Sequence, residues 1–176
     1  MTDLSHNPKL IIISGLPGTG KTRLSQALAS HFQIPLFSKD RLQSRLRAQN
    51  LASRNTVDGY LLILDLAEQQ LSLGVSAILD GVFPLNGFRQ HAAEMAQRHH
   101  ASFRPTHCLC SDLALWQKRL KTREQNIPDW TPVGWDEVQR LQPEYLPWEK
   151  STTLFLDAVD PFNENLVKAI DWAGAG

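Results

Sequence analysis

The segment Gly-Leu-Pro-Gly-Thr-Gly-Lys-Thr at positions 15–22 constrains this chain more than any other part of its sequence. A continuously apolar run, residues 10–13, comes just before it, and leucines at helical spacing follow it. The segment matches the pattern G-x-x-x-x-G-K-S/T, in which glycines let backbone N–H groups approach phosphate oxygens closely. The positive end of a helix that begins near Lys21 adds to this attraction. The pattern therefore predicts a strand, a phosphate-binding loop and a helix, in that order.

Two side chains of this loop have specific roles in binding a nucleoside triphosphate. Lys21 is expected to reach the β and γ phosphates, and the Thr22 hydroxyl is expected to bind the accompanying Mg²⁺. An incidental glycine-rich turn is the alternative, but the strand and helix patterns on either side disfavour it. The predicted phosphate-binding residues are Gly15, Pro17, Gly18, Thr19, Gly20, Lys21, Thr22 and Arg23.

Short apolar runs alternate with longer segments of helical periodicity along most of the chain. This alternation predicts an α/β fold, with a parallel sheet covered by helices on both faces and ligands bound at the carboxyl edge of its strands. We expect one domain over residues 1–176, with residues 1–8 as a loose tail. The predicted strands are 9–14, 34–37, 76–80, 106–110 and 152–156, and the predicted later helices are 57–73, 86–99, 112–123 and 163–172.

Residues 124–149 interrupt this alternation, because prolines and aromatic residues replace any regular period. The segment is too long for a simple connection. It is either a lid or a wall of an acceptor site, or a packed insertion whose tryptophans, from Trp130 to Trp148, lie in the core. The sequence leaves these alternatives open.

Two aspartates lie just after predicted strands, at the edge where a ligand is expected. Asp40 suits a general base that accepts the proton of an acceptor hydroxyl, but it also suits the N-cap of a helix beginning at Arg41. Asp80, which Gly81 follows, suits a carboxylate that binds Mg²⁺ directly or through water. It equally suits a turn residue that bonds to its own backbone.

Arg119 and Arg123 lie four residues apart near the end of a predicted helix, so they share one of its faces. Guanidinium groups stabilise charge on a transferring phosphoryl group, and both arginines are therefore candidate catalytic residues with Lys21 and Asp40. Basic residues near the end of a helix also interact with its dipole, which is the alternative for each arginine.

The composition narrows the choice of partners and compartment. The 18 basic and 18 acidic residues balance, so no overall field attracts nucleic acid or an anionic membrane surface. No apolar run approaches the length of a membrane span, and the first residues do not resemble a secretory signal. The two cysteines, Cys108 and Cys110, are expected on one face of a strand in a reducing compartment. We therefore expect a cytoplasmic protein.

The order of these features resembles the AAA_33 group of small P-loop kinases, which is related to chloramphenicol phosphotransferase, zeta toxins, gluconate and shikimate kinases and polynucleotide 5'-kinase. The resemblance spans most of the chain. Its most specific element is the loop at 15–22. The other elements are Ser-Lys-Asp-Arg-Leu at 38–42, Ile-Leu-Asp-Gly-Val-Phe at 78–83 and Gln-Lys-Arg-Leu-Lys-Thr-Arg at 117–123.

The resemblance implies a three-layer P-loop NTPase fold with five parallel strands in the order 2-3-1-4-5. It also implies a general base at Asp40, lid arginines at Arg119 and Arg123, and adenine stacking near Asp160 and Pro161. ATP is the expected nucleotide, because the chain lacks the N/T-K-x-D element of guanine-specific proteins. Related polynucleotide kinases and zeta toxins carry an arginine where this chain has Gln43. That departure disfavours a polynucleotide or nucleotide-sugar acceptor.

These features together predict a kinase that moves the γ-phosphate of Mg-ATP to a hydroxyl of a small molecule. The resemblance implies that in motor-type ATPases a glutamate directly after this aspartate activates water. No glutamate follows Asp80, which disfavours hydrolysis of ATP without an acceptor. A nucleotide-binding switch without an acceptor and a zeta-toxin-like nucleotide-sugar kinase remain the alternatives. The sequence specifies neither the acceptor nor the oligomeric state.

Overall fold

The structure, a computed structural model, describes residues 7–51, 57–123, 127 and 133–175. Its strands are β1 (Lys9–Ser14), β2 (Leu36–Ser38), β3 (Ala77–Asp80), β4 (Ser102–Leu109) and β5 (Leu154–Asp157). They form one parallel five-stranded sheet in the order β2-β3-β1-β4-β5. The predicted α/β class and the strand order implied by the resemblance are both confirmed.

Helices cover both faces of the sheet. The first and last of them lie on one face, and two from the middle of the chain lie on the other. The helices are α1 (Lys21–Phe32), α2 (Lys39–Ala48), α3 (Val57–Ser72), α4 (Asn86–Arg98), α5 (Leu113–Thr122), α6 (Trp135–Leu141) and α7 (Phe162–Gly174), and a 3-10 turn, Gln142–Glu144, follows α6.

The central strand β1 is apolar along its length because it is buried on both faces. Successive side chains of a strand point to opposite sides, so Leu10 and Ile12 pack with α3 and α4, whereas Ile11 and Ile13 pack with α1 and α7. A third, smaller apolar cluster lies beside the phosphate-binding loop and joins Leu16 to α5 and α6. This packing fixes the loop between the two faces of the sheet.

Two predictions about local structure need correction. The strand expected at 106–110 begins earlier, at Ser102, although it contains Pro105. The proline is tolerated because β5 pairs with β4 only from Thr106 onward, so the backbone at Pro105 has one neighbouring strand. The helix expected to begin at Arg41 begins at Lys39 instead, because β2 passes directly into α2 at Ser38.

The remaining differences concern the cysteines and the proline-rich segment. Cys108 packs against α1 and α7, but Cys110 lies beyond the end of β4 and joins the third cluster, so the two do not share a strand face.

Trp130 and residues 1–6 of the predicted tail lie outside the described residues. Within the described ranges, no helix combines the length and apolar composition needed to cross a bilayer.

Candidate active site

The loop between β1 and α1 adopts a shape that glycine alone allows at its first position. Gly15 has φ +145°, and a Cβ there would lie 2.3 Å from the carbonyl oxygen of Cys108. Gly20, with φ +89°, occupies the N-cap of α1. Side chains secure the turn between them: Thr19 Oγ1 donates to the Leu16 carbonyl at 2.8 Å, and Trp116 Nε1 donates to the Pro17 carbonyl at 2.7 Å. The loop therefore lies close against the end of β4 at Gly15 and is hydrogen-bonded to α5 through Trp116.

Lys21, Thr22 and Asp80 meet where β3 ends beside the first turn of α1. The Thr22 hydroxyl donates to Asp80 Oδ2 at 3.0 Å, while Lys21 is almost fully buried. Burial raises the pKa of Asp80 to about 6, and the charge of Lys21 opposes that rise. Asp80 Oδ1 is also buried and has no hydrogen-bond partner. A buried carboxylate oxygen without a donor is costly, which indicates a cationic ligand at this position.

These residues fit a magnesium ion that arrives with a nucleotide. Mg²⁺ prefers oxygen ligands and is commonly held by one or two protein groups together with substrate phosphates. Thr22 Oγ1 and the free oxygen of Asp80 are such groups. The described residues contain no cluster of three or more His, Cys, Asp or Glu side chains that would bind a metal without a nucleotide.

A cavity of about 810 Å³ opens above this triad. The phosphate-binding loop forms one wall, β2 and the start of α2 form the opposite wall, and the end of α5 closes one side. Its polar lining includes Gly18, Gly20, Lys21, Thr22, Arg23, Gln26, Ser38, Arg41, Asp80, Arg119, Thr122 and Arg123.

Asp40 stands in the first turn of α2, so it is not the N-cap, which is Ser38. Its Oδ1 lies 3.4 Å from Nζ of the buried Lys39. Asp40 is not among the described residues that line the cavity, but Ser38 and Arg41 on either side of it are. The Asp40 charge raises the pKa of both Asp80 and Arg123, which places it within electrostatic range of two residues on the cavity wall.

Arg119 and Arg123 both line the cavity from α5 and its C-terminal end. Burial lowers the pKa of Arg123, and Asp40 opposes that effect. Arg123 Nε is buried without a hydrogen-bond partner. Neither arginine forms an ion pair with another described residue. Their donors are therefore available to an anionic ligand.

A second cavity, of about 250 Å³, lies on the other side of the loop, next to β5. Arg23, Arg119 and Gly20 line both cavities. Of the two residues expected near the adenine ring, Asp160 lines the smaller cavity. Pro161 does not line it and instead occupies the N-cap position of α7.

Sequence reasoning did not single out several residues of this site. Trp116 holds the loop through Pro17, and the ring centre of Phe162 lies 3.8 Å from the guanidinium carbon of Arg23, which was itself predicted to bind phosphate. Arg41 was noted only as a neighbour of Asp40, yet it lines the larger cavity. No spacing signal identifies these contacts, because each joins elements that are far apart in the sequence.

A family model, AAA_33, described as an AAA domain, matches residues 10–143. That range contains the phosphate-binding loop, both aspartates and both arginines of α5. A search of curated proteins finds no significant match.

Many solved structures match this chain, and the three described next cover 95% or 96% of it. A proposed kinase from Chloroflexus aurantiacus J-10-fl is 21% identical, with a TM-score of 0.74 over 95% of this chain and 97% of that chain. A gluconokinase from Sinorhizobium meliloti 1021 is 16% identical, with a TM-score of 0.67 over 96% and 92%. The APS kinase of Mycobacterium tuberculosis, in complex with AMPPNP and APS, is 16% identical, with a TM-score of 0.68 over 96% and 99%. At these identities the likeness establishes the fold.

Proposed function

The chain belongs to the AAA_33 family of AAA domains, and from this membership and the geometry of its loop we propose that it is an ATP-dependent phosphotransferase. It transfers the γ-phosphate of Mg-ATP to a hydroxyl group of a small-molecule acceptor. One observation carries this proposal. Lys21, Thr22 and Asp80 lie together on one side of a cavity, and the start of α2 lines the opposite side. A donor and an acceptor would thus face each other across the cavity.

The donor is bound by the loop and its neighbours. Backbone N–H groups around Gly18 and Gly20 surround the phosphates, and Lys21 pairs with the β and γ groups. Arg119 reaches the nucleotide from α5, because it lines both the larger cavity and the one beside Asp160. The adenine base of the nucleotide would occupy the smaller cavity. Mg²⁺, when bound, would be held by Thr22, Asp80 and phosphate oxygens and would neutralise charge on the triphosphate.

Transfer then requires an acceptor hydroxyl aligned with the γ-phosphorus. As the hydroxyl oxygen bonds to that phosphorus, the bond to the β,γ-bridging oxygen breaks and ADP leaves with the electron pair. The hydroxyl proton passes to the carboxylate of Asp40 and from there to water. Arg119 and Arg123 stabilise the charge that spreads over the transferring oxygens, because a desolvated guanidinium donates charge-assisted hydrogen bonds.

The comparisons support this proposal without identifying the acceptor. Among proteins with this fold, one is named a gluconokinase and another an APS kinase in complex with APS, so the fold accommodates small acceptors. In this chain, the acceptor would lie between α2 and the end of α5.

The proposal is tested by incubating the protein with Mg-ATP and a pool of polar metabolites. Mass spectrometry identifies any compound that gains one phosphate. We expect Asp40→Asn to keep its affinity for ATP, because the phosphate-binding loop is unchanged, and to lose transfer by about 100-fold or more, because proton removal is lost. Lys21→Ala is expected to lose transfer and to weaken nucleotide binding as well.

Matched controls separate these effects from general damage. Asp65→Asn removes an exposed carboxylate of α3, and Lys118→Ala removes an exposed ammonium group of α5, so both should behave as the wild type. Transfer that is unchanged in Asp40→Asn would refute the general base. Nucleotide binding without any phosphorylated product would favour a nucleotide-dependent switch.

A further inference from the structure

The two cavities indicate the direction in which a nucleotide would lie. The smaller cavity is next to β5, and the larger one extends to β2 at the opposite edge of the sheet. Arg23 and Arg119 line both, so they belong to the stretch that the donor spans. The end of the larger cavity beside β2 and α2 lies beyond that stretch. An acceptor would therefore contact α2.

The larger cavity carries more positive charge than the donor requires. Five cationic side chains line it, and Asp80 is the one carboxylate among its described lining residues. A nucleoside triphosphate has roughly four negative charges, and its magnesium ion cancels about two of them. With the nearby Asp40 carboxylate also counted, an excess of roughly one positive charge remains after the donor is bound. The cationic lining residues are Lys21, Arg23, Arg41, Arg119 and Arg123.

Of these five cationic residues, Arg41 is the one to which donor binding assigns no role. It extends from the first turns of α2 and lines only the larger cavity. No carboxylate of a described residue pairs with it. It is adjacent in sequence to Asp40, and its neighbours on the same wall are Phe37 and Leu42. The wall thus combines a free guanidinium group with apolar surface.

We propose that the acceptor carries an oxyanion group, a carboxylate or a phosphate, and that Arg41 binds this group while the acceptor hydroxyl faces Asp40. This inference rests on the proposed function and specifies its substrate class. A guanidinium group binds such oxyanions through two parallel hydrogen bonds, so it fixes orientation as well as position. Phe37 and Leu42 contact the carbon skeleton of the acceptor. Arg123 keeps its role on the transferring group.

Binding to matched sets of compounds tests this inference without requiring turnover. The sets are glycerol, glycerate and glycerol 3-phosphate, together with glucose, gluconate and glucose 6-phosphate, added to a pool of polar metabolites. Equilibrium dialysis with mass spectrometry measures which compounds the protein retains, with and without Mg-AMPPNP. The comparison of carboxylates with phosphates distinguishes the two oxyanions.

We expect the retained compounds to carry an oxyanion and neutral members of a set to be retained less. Arg41→Gln should weaken that retention by about 10- to 100-fold, the usual effect of losing hydrogen bonds to a charged group. Arg45→Gln, which removes an exposed arginine one turn further along α2, is the matched control and should retain ligands as the wild type does. With an identified acceptor, Arg41→Gln should raise the KM for the acceptor and leave the KM for ATP unchanged.

The inference is overturned if only neutral compounds are retained, if nothing is retained, or if Arg41→Gln and Arg45→Gln behave alike. In that case Arg41 is a solvated surface side chain. The proposed function fails separately, when Mg-AMPPNP does not bind or when retained compounds are never phosphorylated. Oxyanion retention that depends on Arg41 but leads to no product would support the binding site and refute the kinase.

Discussion

Single residues of the phosphate-binding loop have sharply different tolerance to substitution. At Gly15, a Cβ would lie 2.3 Å from the Cys108 carbonyl oxygen and 2.7 Å from Thr19 Oγ1, and the φ of +145° adds strain. At Gly20, φ is also positive, +89°, but nothing lies within 4 Å of an added Cβ. The same glycine-rich motif thus contains one position that excludes a side chain by contact and one that disfavours it by backbone conformation alone.

We therefore expect Gly15→Ala to lower the free energy of unfolding by several kcal/mol or to prevent folding, because β4 would have to move. Gly20→Ala should cost about 1 kcal/mol through backbone strain. Denaturant unfolding measures both. Gly87→Ala, at the start of α4 where φ is ordinary and space is open, is the control and should differ little from the wild type. Equal destabilisation by Gly15→Ala and Gly20→Ala would contradict this description of the loop.

The positions of individual residues were predictable where the motif fixes them and not elsewhere. Lys21 and Thr22 followed from the loop pattern, and their place beside Asp80 agrees with it. The pattern did not predict that Asp80 would be buried with one oxygen unpaired, because burial depends on how β3 packs beneath α1. That Arg41 lines the larger cavity was equally hidden, since this depends on where α2 faces once β2 joins the sheet.

At the scale of elements, a polar network connects β1 and β4 to the chain segment that follows α6. His107 Nδ1 lies 3.2 Å from Ser14 Oγ and 3.1 Å from Tyr145 Oη, and Trp148 Nε1 donates to Tyr145 Oη at 3.0 Å. Arg89 of α4 donates to the carbonyls of Leu146 and Pro147 and stacks on the ring of Trp148. The aromatic part of the proline-rich segment is thereby fixed against the sheet.

This network makes stability depend on pH. Burial lowers the pKa of His107 to about 4, and the nearby Arg89 charge contributes. The neutral imidazole is favoured in the folded state, so the stabilisation is present above the unfolded pKa of about 6.5 and is lost as pH falls towards 4. The contribution of His107 should fall by about 2–3 kcal/mol over that range, whereas Asp80, whose pKa is raised to about 6, contributes stability as the pH falls. Denaturant unfolding at a series of pH values measures it.

His107→Gln should remove the His107 contribution, so the difference in unfolding free energy between the wild type and this variant should change by about 2–3 kcal/mol between pH 6.5 and 4. His91→Gln, which changes an exposed histidine of α4, should leave the pH dependence as in the wild type. If the stabilities of His107→Gln and the wild type change with pH in parallel, the effect belongs to other groups.

The elements themselves were largely predictable, and the exceptions have physical reasons. Long periodic helices such as α3 and α4 were placed within one or two residues. The start of β4 was missed because Arg104 and Pro105 break its apolar pattern, although pairing with β1 extends through them. The sequence did not decide whether the proline-rich segment is a lid or packs in the core. Its described part packs Trp148 into the core, a contact that depends on the distant Arg89.

At the scale of the whole molecule, the order of the sheet separates the two cavities. The smaller cavity lies next to one edge strand, β5, and the end of the larger cavity where we propose the acceptor lies next to the other, β2. The phosphate-binding loop follows the central strand and lies between them. Alternating strands and helices predicted this architecture, because parallel sheets bind ligands at the carboxyl ends of their strands. The proposed acceptor was not predictable, since residues of α2 and α5, which are far apart in the sequence, line the same cavity only in the folded chain.

The fate of the γ-phosphate tests the central claim most directly. Wild-type protein and the Asp40→Asn variant are incubated with Mg-ATP labelled in the γ-phosphate, with and without the metabolite pool, and the label is traced by chromatography. We expect the pool to direct the label into an organic phosphate ester in the wild type and not in Asp40→Asn. Label that appears only as inorganic phosphate, at a rate unaffected by the pool or by Asp40→Asn, would contradict a phosphotransferase with Asp40 as its base.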